Sequence, residues 1–92
     1  MKIAKTKFKD LIVFKSKNIF DKRGKFRELA IEKLIRKRLV FTILSISKKN
    51  VIRGLHMQKK FQQGKYVSVL KGKILDVAVD CRKKSKTFGK HF

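Results

Sequence analysis

The chain has 92 residues, 42% of them hydrophobic, with 27 Lys and Arg against 6 Asp and Glu and a formal net charge of +21. This length allows one domain or part of one; the apolar content argues against wholesale disorder, and no apolar run approaches the ~20 residues of a membrane span. A single cysteine, Cys81, excludes an intrachain disulfide, and the start of the chain lacks a signal-peptide pattern, so a reducing, cytoplasmic setting is expected.

Lys9–Phe14 reads as a short strand. Asp21-Lys22-Arg23-Gly24 is a turn signal, with Gly24 able to take positive φ. From Glu28 to about Val40, Ile31, Leu34, Ile35 and Leu39 fall at helical spacing, with Glu32, Lys33, Arg36 and Lys37 on the wet side. Val40–Ser47 is β-branched and aromatic, which predicts a strand. Val51–His56 is a further short strand, broken by Gly54 where another group can approach the backbone. Lys59–Gly64 is a polar loop. Tyr66–Leu70, the turn Lys71-Gly72 and Lys73–Cys81 form the clearest hairpin signal. On its second arm, alternation places Asp76 and Asp80 on one face and Leu75, Val77, Val79 and Cys81 on the other. Arg82–Lys86 is a basic loop, and Thr87–Phe92 ends where another strand could begin.

The positive excess runs through both halves of the chain, and no zinc-ligand set, helix-turn-helix or RNA-binding aromatic motif accompanies it. It suits a nucleic-acid or anionic-surface binder, and equally a protein that attracts a phosphorylated substrate.

Chemistry concentrates after Val51. His56, in Arg53-Gly54-Leu55-His56, has a reference pKa near 6.5 and suits a general base; the competing readings are a strand histidine making one hydrogen bond and, with no partner at ligand spacing, a metal ligand. Lys65 follows Gly64 and opens a strand whose mate carries Asp76, where a cation could stabilise a developing oxyanion; otherwise it is a solvated lysine. Arg23 and Arg53 each adjoin a glycine, which leaves a guanidinium free to fork onto phosphate or simply to face water. Cys81 reads as a small strand residue.

Several patches together resemble a known family. Phe20-Asp21-Lys22-Arg23-Gly24-Lys25-Phe26-Arg27-Glu28 and Arg53-Gly54-Leu55-His56-Met57-Gln58 look like early motifs of the dTDP-4-dehydrorhamnose 3,5-epimerases. So do Gln63-Gly64-Lys65-Tyr66-Val67, Asp76-Val77-Ala78-Val79-Asp80-Cys81-Arg82 and Ser85-Lys86-Thr87-Phe88-Gly89-Lys90, in the same order. The resemblance implies a mainly β, cupin-type jelly roll (a double-stranded β-helix), a homodimer when the domain is whole, and no metal or organic cofactor. It implies proton removal and return at C3 and C5 of dTDP-4-dehydro-6-deoxyglucose, with no membrane and no specific nucleic acid as partner. By the same resemblance His56 matches the base, Lys65 the cation near the keto oxygen and Asp76 the strand carboxylate beside them. Arg23, Glu28 and Arg53 match residues that hold the nucleotide-sugar.

The chain departs from that pattern: it is several residues short between Glu28 and the next strand and one residue short between His56 and Lys65, where Lys59-Lys60 replaces common prolines. Phe41 and Ile43 stand where the family carries a Gln-x-Asn pair. Family members are about twice as long, and their second half supplies another histidine, a tyrosine acid and an aspartate. The expectation is therefore a single partial cupin domain over residues 1–92, with one short helix near residues 28–38 and little or no activity alone. A small basic binding module and a cupin-like nucleotide-sugar binder without catalysis are the alternatives.

Overall fold

Two small antiparallel ribbons and a single turn of helix make up the regular structure of the computed structural model, which describes residues 1–92. β1 (Lys2–Lys5) pairs with β2 (Ile12–Lys15), with Lys2 opposite Lys15 and Lys5 opposite Ile12. Thr6 organises the link between them. Its hydroxyl donates to the Leu11 carbonyl at 2.8 Å and accepts the Phe8 N–H at 3.1 Å, a local side-chain turn. This folds Phe8 inward, where it is 4% exposed and meets the Phe92 ring at a centroid distance of 6.5 Å. The strand expected from Lys9 accordingly starts later, at Ile12, because the turn occupies the residues before it.

The predicted turn at Asp21–Gly24 is in place. β3 (Ile19–Asp21) and β4 (Gly24–Phe26) form a hairpin with Asp21 opposite Gly24. The Asp21 carboxylate accepts the Arg23 N–H at 2.8 Å, and Gly24 takes a φ of +131° that side chains other than hydrogen resist.

α1 (Glu32–Ile35) lies inside the predicted helical stretch but is one turn long. Ile31 at its N-cap offers no side-chain acceptor, and Arg36 closes it in the left-handed region at φ 57°. Continuing the helix would stack Lys33 against Lys37, a like-charge pair at i,i+4 that disfavours extension. A four-residue helix is far below the length that is stable alone in water, so it rests on the half-buried Leu34 and Ile35.

Three expectations fail downstream. Val40–Ser47 and Val51–His56 form no ladder, and Tyr66–Leu70 and Lys73–Cys81 exchange no backbone hydrogen bonds. The bend at Leu70–Gly72 does form, with Gly72 at φ 86°. Its arms stay open for an energetic reason: a hairpin without a third strand or a packed face is marginal in water. Most of these segments face water, and Val40, Ile46, Ile52 and Leu75 are 82–91% exposed.

Pairing appears instead between the 78–80 segment and the C-terminal residues, with Val79 bridged antiparallel to His91. Ala78 and Phe92 exchange bonds of 3.1 and 2.9 Å, Asp80 donates to the Lys90 carbonyl at 2.9 Å, and Gly89 donates back to Asp80 at 2.7 Å. The tail expected to begin a strand thus supplies one short ladder. Tyr66 ties the middle of the chain to its start: its ring lies 5.5 Å from that of Phe14 and its hydroxyl donates to the Leu29 carbonyl. Arg27 donates to the Val69 carbonyl at 2.8 Å on the same side.

The mainly β expectation with one short helix holds, but the elements share no core. Phe8 and Asp80 are the only buried residues. The 19 backbone–backbone hydrogen bonds are about a third of what a folded domain of this length carries. The radius of gyration is 15.4 Å, against about 12 Å for a compact chain of 92 residues.

Candidate functional site

The most organised polar cluster surrounds Asp80. Its residues come from one short stretch, with hydroxyl and guanidinium groups two, five and seven positions after the aspartate. Arg82 donates through Nε to Oδ1 at 2.9 Å and through Nη2 to Oδ2 at 3.0 Å, a bidentate fork. The hydroxyls of Ser85 and Thr87 each donate to Oδ2 at 2.6 Å, and the Arg82 N–H donates to Oδ1 at 3.0 Å. Arg82 also reaches Asp10 at 2.6 Å, so it joins the C-terminal loop to the β1–β2 turn. Every acceptor direction of Asp80 is filled, which is the condition for burying a carboxylate at 6% exposure. These contacts, led by the Arg82 guanidinium and followed by the Ser85 and Thr87 hydroxyls, hold the Asp80 carboxyl far below the usual carboxylate range.

A depressed pKa has a definite pH signature. As pH falls, the unfolded chain takes up its proton first, so the stabilisation from Asp80 is full above the ordinary Asp value near 3.9. It declines below that value and is gone once pH has fallen through the folded-state pKa. Amide protection at Gly89 and Phe92, whose N–H groups bond across the 78–92 ladder, is therefore expected to be constant from neutral pH to about 4.5 and to fall below about 3.5. Hydrogen exchange corrected for intrinsic rates measures this; protection already lost at pH 6 would contradict it.

The residues singled out in the sequence lie elsewhere. His56, Lys65 and Asp76 are all exposed and make no side-chain hydrogen bond or ion pair with one another or with other groups. Alternation puts Asp76 on the face of Asp80, yet only Asp80 is enclosed, because the C-terminal loop folds over one end of the segment. Arg23 forks back onto Asp21 at 2.6 Å and is otherwise open to water. Glu28 accepts the N-terminal ammonium of Met1 at 2.8 Å. Arg53 donates to the Ser47 hydroxyl at 2.9 Å and to the Ile46 carbonyl at 3.3 Å. No hydrogen bond joins any two of the six.

Sequence reasoning placed Asp80 on its strand but missed its partners. The spacing Asp80-x-Arg82-x-x-Ser85-x-Thr87, a carboxylate followed by donors across a turn, is the signal that could have exposed them. Nowhere do three or more His, Cys, Asp or Glu side chains gather within reach of a common metal ion. No helix is long and apolar enough to cross a membrane.

Comparison with known proteins decides the lineage. The profile of the dTDP-4-dehydrorhamnose 3,5-epimerase family matches residues 5–92. The chain belongs to this family. The dTDP-4-dehydrorhamnose 3,5-epimerase of Shigella flexneri is 39% identical to it over 98% of this chain and 54% of that protein. The enzyme of the same name from Salmonella typhimurium is 43% identical over 97% of this chain and 52% of its own length. That of Methanothermobacter thermautotrophicus is 39% identical over 96% and 50%. The chain spans about half the length of these curated relatives. No solved structure matches it. Family membership thus rests on sequence, and every residue proposed for the site lies within the matched span.

Proposed function

We propose that residues 1–92 form the N-terminal half of a cupin-type jelly-roll domain whose complete form epimerises C3 and C5 of dTDP-4-dehydro-6-deoxyglucose and assembles as a homodimer. The match of the epimerase family to residues 5–92 carries this reading. In it, His56 removes the proton from carbon beside the 4-keto group, and the electron pair moves onto the keto oxygen. Lys65 stabilises that negative charge, and Asp76 holds the lysine in place. Arg23 and Arg53 fork onto the diphosphate, and Glu28 accepts from the sugar or base. Return of the proton on the opposite face needs an acid. Tyr66, the chain's single tyrosine, is engaged with the Leu29 carbonyl.

On this reading the chain by itself has little or no activity, which agrees with the exposure of His56, Lys65 and Asp76 to solvent. The test joins residues 5–92 to the second half of the Salmonella typhimurium relative. The fusion is expected to incorporate solvent deuterium at C3 and C5 of the keto sugar. His56→Ala should lower that rate by about 10²–10⁴-fold, the usual contribution of a positioned base. Exchange at full rate in the His56→Ala fusion would sink the assignment. Tight nucleotide-sugar binding with no exchange in the unaltered fusion would favour a non-catalytic binder.

A further inference from the structure

The two buried residues of the molecule, Phe8 and Asp80, anchor the two walls of a single groove. One wall is the turn pinned by Thr6 and Phe8, and it presents Lys7 and Lys9. The other is the loop stapled by Asp80 through Arg82, Ser85 and Thr87, and it presents Lys84 and Lys86. The Arg82–Asp10 pair at 2.6 Å and the Phe8–Phe92 contact hold the walls together across more than seventy residues of sequence. The groove is open to solvent, has a volume of about 460 Å³ and is lined by no hydrophobic residue.

Arg82 is committed to Asp80 and Asp10, and the Ser85 and Thr87 hydroxyls donate to Asp80. Lys7, Lys9, Lys84 and Lys86 line one cleft and make no ion pair, and the Lys7 ammonium stands 5.5 Å from the centre of the Phe8 ring. Lysines elsewhere on this chain are equally numerous, but these four stand on its two most tightly hydrogen-bonded turns. Their backbone positions are set before any ligand arrives, which lowers the ordering cost of binding. The lining includes no aromatic residue on which a nucleobase could stack. The charged ends of these side chains suit a ligand rich in negative charge and oxygen acceptors.

We propose that this groove binds a short chain of linked phosphates, either a free oligophosphate or the phosphate portion of a larger molecule. The site shares no residue with His56, Lys65, Asp76, Arg23, Glu28 or Arg53, so it stands or falls separately from the epimerase reading.

The test is a pair of variants with equal net charge. In one, Lys7, Lys9, Lys84 and Lys86 are all changed to Gln; in the other, the exposed Lys48, Lys49, Lys59 and Lys60 are. All eight side chains are exposed, and of them Lys7 alone touches a buried residue, its ammonium lying over the Phe8 ring. Tripolyphosphate is titrated into each at 150 mM salt and followed by calorimetry, with amide shifts of the unaltered chain recorded alongside. The groove variant is expected to bind about tenfold or more weakly, as the loss of several exposed charge contacts implies. The control variant should stay within about twofold, and shifts should centre on the turn before β2 and on the Asp80 loop. Equal weakening in both variants, or shifts scattered over all lysines, would show only the general attraction of a +21 chain and would overturn the proposal. A parallel titration with thymidine diphosphate and pyrophosphate separates the two sources. Comparable affinities support recognition through phosphate, and a large preference for the nucleotide would contradict it.

Discussion

Heated by itself, the chain is expected to lose structure gradually, with no sharp melting transition. A cooperative domain of 92 residues would absorb about 60 kcal/mol on unfolding near 60 °C. That enthalpy comes from a packed interior and a full set of backbone hydrogen bonds. This chain buries two residues and leaves two dozen large apolar side chains exposed, among them Phe41, Ile52, Phe61 and Leu75. Calorimetry is expected to show less than about a third of the cooperative value, in proportion to the hydrogen bonds present. Dyes that seek apolar surface should bind before heating begins. The exposed face should also make the chain self-associate as concentration rises, because unpaired strand segments are templates for further pairing. A monomer with one calorimetric transition of full size would refute this account.

Removal of the Asp80 carboxylate should have the largest local effect of any single substitution. In Asp80→Ala, the Arg82 fork, the Ser85 and Thr87 hydroxyls and the Arg82 N–H all lose their acceptor at once. Donors left without partners cost more than the bonds were worth. Amide protection at Gly89 and Phe92 is expected to drop about tenfold or more, while β3 and β4, which share no contact with the cluster, should be unchanged. Asp80→Asn keeps an acceptor oxygen and nearly the same shape, so it should fall between the two. Equal protection in Asp80→Ala and the unaltered chain, read by hydrogen exchange, would mean that the loop is held by its backbone bonds alone. The groove proposal adds a consequence: if the loop loosens, Lys84 and Lys86 lose their fixed positions, and tripolyphosphate affinity should fall with protection.

The lineage was legible because it is written in short motifs. Arg53-Gly54-Leu55-His56 and Gln63-Gly64-Lys65-Tyr66 resemble the epimerases whether or not their neighbours are folded around them, and the family comparison agrees over residues 5–92. The Asp21–Gly24 turn was legible for a related reason. Its Asx bond and the positive φ of Gly24 are decided within four residues. The strands at Val40–Ser47 and Tyr66–Cys81 were misjudged because β-propensity describes fitness for a half-buried pleated surface, and most of these residues stay exposed. The helix stopped early for a local reason that periodicity does not weigh, the run of like charges from Lys33 to Arg38 with no cap at Ile31.

The sequence alone therefore determined the family and the turns that close within a few residues, and the roles proposed for His56, Lys65 and Asp76 come from it alone. Those features depend on side-chain identity and short-range hydrogen bonds. Only the tertiary structure decided which of two carboxylates on one face is buried, that the tail after Thr87 pairs with Ala78–Asp80, and that Lys7 and Lys9 stand across a groove from Lys84 and Lys86. Those outcomes join residues far apart in the chain. Each requires that contacts repay the entropy of closing a long loop, and here a salt bridge, a ring contact and one fully satisfied carboxylate were enough to do so at one end of the molecule.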